Sequence, residues 1–185
     1  MMSAKKQLLC YGIGNISRGD DGLGPALLHW LSKHNSSDEF EIQLEPAFQL
    51  QPENLYEFAD KDVVLFLDAD ARFSEGVHFA EVFAKQSNNP FVSHALPPEQ
   101  LLALYNELMD KPHPPAFCLS MGTHHIGLQE TLSETAIKNL EGAKPLLKQL
   151  INLPLTQWRP LTSLSAPSAQ VSFSGTHQET ALPNA

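Results

Sequence analysis

The sequence is short of cysteine and of long apolar runs, and each shortage excludes a class of protein. Its two cysteines, Cys10 and Cys118, lie in apolar segments, which favours buried free thiols in a reducing compartment over a disulfide framework. We therefore expect a cytoplasmic location. No apolar run approaches the roughly 20 residues that span a bilayer, so a soluble protein without membrane contact is expected. The short apolar stretch near the N-terminus leads into a glycine turn without a small-residue cleavage site, which favours a strand over a signal peptide.

Basic residues are also few. The 12 lysines and arginines face 21 aspartates and glutamates, which gives a formal net charge of −9. Because nucleic-acid binding requires a basic face, this balance argues against a nucleic-acid partner, whereas a protein partner with a basic segment stays possible. A chain of 185 residues fits one domain with a sizeable core, and we expect a monomer.

Hydrophobic patterns predict an alternation of strands and helices. The continuous apolar run VVLFL is typical of a central parallel strand, and it leads directly into Asp68. Pro145 predicts a kink or break near Gly142 in the last helix. The alternation predicts an α/β protein with three layers, α/β/α, in which helices cover a mostly parallel twisted sheet of about five strands. The predicted strands are residues 7–11, 39–44, 63–67, 77–83 and 116–121, and the predicted helices are residues 23–33, 52–58, 97–108 and 133–150.

The composition changes near the C-terminus. From about Leu153 the chain is rich in Ser, Thr, Pro, Ala and Gln and has few large apolar side chains. This change predicts a folded domain over residues 1–152 and a disordered tail over residues 153–185. We expect the part from Leu161 onward to be dispensable for chemistry.

Polar residues follow several of the predicted strands. Ligands of open α/β sheets bind beyond the carboxyl ends of the strands. The turn after the first strand leads to Asp20 and Asp21, VVLFL ends at Asp68, and His94 precedes the third helix. If these strand ends are neighbours, two carboxylates and an imidazole converge. Such a set suits zinc, nickel or iron better than calcium or magnesium, and three protein ligands leave a position open.

Each of these residues also has a plainer interpretation. Asp20 or Asp21 could cap a helix that begins near Gly22, and Asp20 is the better candidate for that role. Asp68 ends an apolar strand, where a carboxylate needs hydrogen bonds or a charge partner. His94 alone could be a structural histidine. The metal-site hypothesis therefore depends on the three residues together.

Two other motifs give weaker signals. The glycine turn lacks the third glycine of a dinucleotide-binding fingerprint, since Ser17 stands in its place, and the acidic pair that follows would repel a pyrophosphate. The turn instead predicts that Asn15 bonds to neighbouring backbone. His124 and His125 are adjacent, so on an extended segment they point to opposite sides and seldom share one ion. They favour a surface that faces a partner.

Three motifs resemble those of the [NiFe]-hydrogenase maturation proteases. The segment YGIGN, continuing as RGDDGLGP to Pro25, resembles the N-terminal signature of that family. The strand that ends at Asp68 and Ala69 resembles the second motif, and the segment SHALPPE at residues 93–99 resembles the third. The similarity covers residues 7–150. The first motif is long and fairly specific, and the other two gain weight from their order and placement.

The resemblance implies an endopeptidase that removes a C-terminal peptide from the nickel-loaded large-subunit precursor of a [NiFe]-hydrogenase. By motif position, Asp21, Asp68 and His94 would bind the nickel that the precursor supplies, or another divalent ion. Asp21 stands where the family often has glutamate, so its carboxylate is displaced by about one methylene. Asp21 and Asp68 would also be catalytic, either by activating water or through the ion. The weaker candidates for substrate contact are Asn15, His124 and His125.

Two alternatives stay open. A nickel-dependent checkpoint or chaperone could recognise the precursor without cutting it, and its metal ligands would be identical. Peptidyl-tRNA hydrolases also begin with a strand and a Gly-x-Gly-Asn turn. They pair it with a histidine on a basic surface, whereas this chain has an acidic pair there and a strongly negative charge.

Overall fold

The predicted alternation of strands and helices is the order found in the computed structural model, which describes residues 4–86, 96–128 and 131–162. The strands are β1 (Lys6–Ile13), β2 (Phe40–Ala47), β3 (Val63–Asp70), β4 (Val77–Val82) and β5 (Ala116–Gly122). The helices are α1 (Leu23–Ser32), α2 (Pro98–Met109), α3 (Glu134–Leu150) and α4 (Trp158–Thr162). Short 3-10 helices cover Asp20–Gly22, Pro52–Phe58 and Leu155–Gln157.

The five strands form one sheet in the order β2-β1-β3-β5-β4. All neighbouring pairs are parallel except β4 and β5, which are antiparallel. The apolar run predicted as a central strand is β3, in the middle of the sheet. Since β1 and β3 are parallel neighbours, the loops after their carboxyl ends lie side by side, as a site shared by the first two motifs requires.

Helices cover both faces of the sheet, which confirms the predicted three-layer α/β/α class. Apolar side chains of α1, α3 and α4 pack on one face, and those of α2 and the Pro52–Phe58 helix pack on the other. Full burial of one large apolar side chain contributes roughly 1.5–3 kcal/mol to the stability of the fold. Within the described ranges, no helix combines the length and the apolar character needed to cross a membrane.

Helix α3 passes Pro145 without a break, so of the predicted kink or break near Gly142 the break is wrong. A proline inside a helix removes the hydrogen bond to the carbonyl four residues earlier, here that of Glu141. Both Pro145 and Glu141 are exposed, so water can take the place of the lost donor. The predicted start of the helix is confirmed, because the side chain of its N-cap, Ser133, accepts a hydrogen bond from the nearby Ala136 N–H.

The predicted tail begins too early. Residues 153–162 are folded, and Trp158 is fully buried although the segment around it is rich in polar residues. The Trp158 ring centroid lies 5.3 Å from that of Phe117 and 5.5 Å from that of Phe40, and its Nε1–H donates to the Leu150 carbonyl at 3.0 Å. A single large aromatic side chain therefore extends the domain past its compositional boundary. Residues 163–185 of the predicted tail lie outside the described residues.

Replacing Trp158 with alanine should lower the free energy of unfolding by roughly 3–5 kcal/mol, since it leaves a large cavity. Trp158→Phe should cost less, because it keeps most of the ring and loses the Nε1 hydrogen bond, worth roughly 1 kcal/mol. Urea titration followed by circular dichroism measures both changes, with the neighbouring exposed Gln157→Ala as control. A Trp158→Ala protein as stable as Gln157→Ala would show that α4 does not belong to the core.

Candidate active site

Asp68 lies at the carboxyl end of β3, where the apolar run meets the edge of the sheet. Its Oδ1 accepts a hydrogen bond of 2.8 Å from the Ala69 N–H. Burial, together with the negative charges of Asp21 and Asp70, raises the pKa of Asp68 to about 7, against the effect of that hydrogen bond. A carboxylate in this setting is poorly compensated within the described part of the chain, and a cation beside it would favour the ionised form.

Asp21 lies in the 3-10 helix Asp20–Gly22, between the end of β1 and the start of α1. Its Oδ2 accepts a hydrogen bond of 3.0 Å from the Asn15 N–H. Gly14 makes the turn possible, because its φ of +133° is unfavourable for other residues and a Cβ there would overlap the Asp21 carbonyl oxygen. Since the charge of Asp21 acts on Asp68, the structure brings these two predicted ligands to the same edge of the sheet.

The structure describes three of the other predicted site residues and not the fourth. His94 lies outside the described residues, as do its two neighbours in the third motif, Ser93 and Ala95. The Asn15 Oδ1 accepts from the Ser17 N–H at 2.9 Å, which confirms the predicted bond to neighbouring backbone. The side chains of His124 and His125 are exposed on the loop that pairs with the Asp21 loop. Contact of these three residues with a substrate stays a prediction.

Asp20 does not cap its own helix, so that expectation is wrong. No side-chain cap is formed at the start of Asp20–Gly22 or of α1. The Asp20 side chain turns instead to the segment before α3, where it accepts hydrogen bonds from the backbone of His124, His125 and Ser133. Burial opposes ionisation of Asp20, but these amides and the Ser133 hydroxyl hold its pKa below the ordinary value. Its partners lie more than 100 residues away in sequence, which is why local reasoning missed them.

Asp70, the second acid at the end of β3, is paired with a neighbouring cation. The Arg72 guanidinium donates to both Asp70 oxygens, with Nη2 at 2.6 Å from Oδ2. Although burial alone would raise the pKa of Asp70, the hydrogen bonds and charge of Arg72 hold it below its usual range. Asp70 is therefore a satisfied carboxylate, and Asp68 is the one that can serve an ion or a water.

Two polar residues that the sequence did not single out lie in one row with Asp68. The strand register places Asp68 opposite Ser120 on β5, and Ser120 opposite His78 on β4. Side chains in register share a face of the sheet, here the face covered by α2. His78 is half-buried and stacks on Phe73 with ring centroids 4.0 Å apart. Only the antiparallel insertion of β4 beside β5 creates this row.

Both cysteines are free, as predicted. Burial raises the pKa of the Cys10 thiol above its ordinary value. Burial also raises the pKa of Cys118 to about 12, although a contact of 3.3 Å with the Ser120 hydroxyl acts in the opposite direction. Since the thiolate is the reactive form, neither cysteine is suited to be a nucleophile near neutral pH.

The donor set at this edge fits a divalent ion in part. Asp21 and Asp68 offer carboxylate oxygens whose mutual repulsion a cation would relieve. In the described ranges, no group of three or more His, Cys, Asp or Glu side chains is arranged to hold a metal. The described chain thus supplies two of the three predicted ligands. An imidazole in addition would make the set suitable for a borderline ion such as nickel or zinc.

The fold is that of known [NiFe]-hydrogenase maturation proteases, although no family model and no curated protein matches the sequence. The structure of the maturation protease HycI from Thermococcus kodakarensis KOD1 matches with a TM-score of 0.61 and 22% identity, over 81% of this chain and 95% of that chain. The maturating endopeptidase HybD from E. coli matches with a TM-score of 0.55 and 17% identity, over 76% and 89% of the two chains. At these identities the likeness shows the fold.

Proposed function

We propose that this protein is an endopeptidase that removes the C-terminal peptide from the nickel-loaded large-subunit precursor of a [NiFe]-hydrogenase. The observation that carries the proposal is that Asp21 and a half-buried Asp68 lie at the same carboxyl edge of this fold, where the charge of Asp21 acts on Asp68. The three sequence motifs and the solved maturation proteases with the same fold support it. We place the reaction in the cytoplasm and expect a monomer to carry it out.

Nickel enters this proposal as part of the substrate. Asp21, Asp68 and His94 are the residues proposed to contact the ion that the precursor holds, so the ion reports that metal insertion is complete. A divalent ion bound there can polarise a carbonyl or lower the pKa of a water. Because burial raises the pKa of Asp68 to about 7, this carboxyl can also accept and return a proton near neutral pH.

The remaining residues of the edge have supporting roles in this proposal. Asn15 orients the Asp21 carboxylate through its backbone N–H. His124 and His125 are exposed beside the Asp21 loop and are proposed to contact the precursor. The roles of His124 and His125 concern substrate binding, and the chemical step is left to the two aspartates.

The test is the intact mass of a purified large-subunit precursor before and after incubation with this protein. We expect the loss of one discrete C-terminal peptide from the nickel-loaded precursor. The same large-subunit precursor without nickel is the matched control and should keep its full mass. A stable complex without a mass change would favour the checkpoint alternative. The absence of both binding and cleavage would refute the proposal.

A further inference from the structure

Asp20 is a fully buried carboxylate that no cation pairs with in the described part of the chain. Its Oδ2 accepts from the His124 N–H at 3.0 Å, from the His125 N–H at 2.9 Å and from the Ser133 hydroxyl at 2.9 Å. Its Oδ1 accepts from the Ser133 N–H at 2.8 Å. Four donors therefore compensate one buried negative charge, and they all belong to the segment that leads into α3.

The backbone around Asp20 makes the attachment reciprocal. The Asp20 N–H donates to the His125 carbonyl at 3.1 Å, and Gly19 forms an antiparallel bridge with Ile126. The loop after β1 and the loop after β5 are thus joined on both sides of Asp20. The side chain of the adjacent Asp21 has a different partner and accepts from the Asn15 N–H. The position of the Asp21 peptide unit is therefore set by Asp20 on one side and by Asn15 on the other.

We propose that Asp20 is a positioning residue for the cleavage reaction, because it anchors the loop that carries Asp21 and so fixes the Asp21 carboxylate relative to Asp68. This inference rests on the proposed function. The positioning role requires the charged side chain of Asp20, since only a carboxylate offers two acceptor oxygens at this size. An asparagine would present an NH2 group to at least one of the four donors and leave that donor without an acceptor.

The first test compares Asp20→Asn with Leu150→Ala in the precursor-cleavage assay, at a temperature where both variants are folded. Leu150 is buried at the far end of α3, so its replacement destabilises the domain without touching either loop. We expect Asp20→Asn to lower kcat by about 10- to 100-fold, as a displacement of about 1 Å does, while KM changes by less than about threefold. Leu150→Ala should keep both constants within about twofold of the unmodified protein. Equal kcat values for the two variants would overturn the inference.

The second test needs neither substrate nor metal, so it separates this inference from the proposed function. Hydrogen exchange of the Asn15 amide reports whether the Asp21 carboxylate is still in place. We expect exchange to be about tenfold or more faster in Asp20→Asn than in Leu150→Ala, because local opening of the loop, rather than global unfolding, controls this amide. Equal protection would overturn the inference even if the unmodified protein cleaves the precursor. If the unmodified protein does not cleave, the proposed function fails and the exchange result alone decides.

A milder variant keeps the inference testable if Asp20→Asn does not fold. Ser133→Ala removes the hydroxyl donor to Asp20 together with the side-chain cap of α3, and it leaves the three backbone donors to Asp20. Like Asp20→Asn, it should lower kcat and speed the exchange of the Asn15 amide, but each only by about threefold, the effect of one hydrogen bond. No change in either quantity would overturn the inference.

Discussion

Replacing Asp68 with asparagine is expected to lower the rate of precursor processing by about 100- to 1,000-fold and also to stabilise the metal-free protein at pH 8. The rate should fall because contact with a polarising metal ion stabilises a transition state by several kcal/mol, and this contribution would be lost. The fold should be kept, because an asparagine oxygen can still accept the Ala69 hydrogen bond. Activity and stability would thus change in opposite directions at this residue.

The gain in stability follows from the raised pKa of Asp68. The folded protein holds the Asp68 proton up to about pH 7, whereas the unfolded chain releases it near pH 3.9. The stabilisation from the protonated form is therefore complete below about pH 4 and is lost as the pH rises to about 7. Asparagine cannot ionise, so at pH 8 the variant should exceed the unmodified protein by up to roughly 4 kcal/mol in free energy of unfolding.

Urea titrations of the metal-free protein at several values between pH 4 and pH 8 measure this difference, and the precursor assay measures the rate. The control is Glu107→Gln, which removes one exposed acid from α2. It should leave both the rate and the pH dependence unchanged. A fully active Asp68→Asn protein would falsify the assignment of this residue, and a stability difference independent of pH would show that Asp68 is ionised in the folded state throughout.

Replacing Gly24 with alanine is expected to cost about 3 kcal/mol of stability or more, or to prevent folding. At the start of α1, a Cβ on this residue would overlap the carbonyl oxygens of Ile13 and Leu67 and lie 2.8 Å from the Ile13 nitrogen. These are backbone atoms of β1 and β3, which cannot move aside as a flexible side chain would. Since Asp68 directly follows Leu67 and the Asp21 loop follows Ile13, the same displacement should separate the two acids and lower the processing rate.

Gly142 provides the matched control for Gly24. It lies inside α3, and a Cβ there would have only ordinary contact, 3.7 Å from a methyl group of Val77. Gly142→Ala should therefore raise the free energy of unfolding by roughly 0.5–1 kcal/mol, as alanine does in a helix interior. Urea titration of both variants checks the pair. If both variants changed the free energy of unfolding by a similar amount, the close approach of α1 to the sheet would not be the reason that Gly24 must be a glycine.

Much of the scaffold could be predicted because the pattern of each element is local. The run that forms β3 is apolar throughout, so it indicates a strand buried on both faces, and Asp68 at its end then falls at the carboxyl edge. The Asp21 turn could be placed in the same way, since Gly14 and Asn15 are turn residues in sequence. Pro145 shows the limit of local rules, because solvent exposure allowed a helix to tolerate it.

The sequence by itself determined the order of the elements, the parallel core of the sheet and the two acids at its edge, because periodicity and turn chemistry depend on neighbouring residues. Only the tertiary structure decided that Asp20 joins two loops, that Trp158 belongs to the core, and that Ser120 and His78 lie in one row with Asp68. Each of these depends on contacts between residues far apart in the chain. Such contacts arise from strand order, register and the space left between packed helices, and no local pattern encodes them.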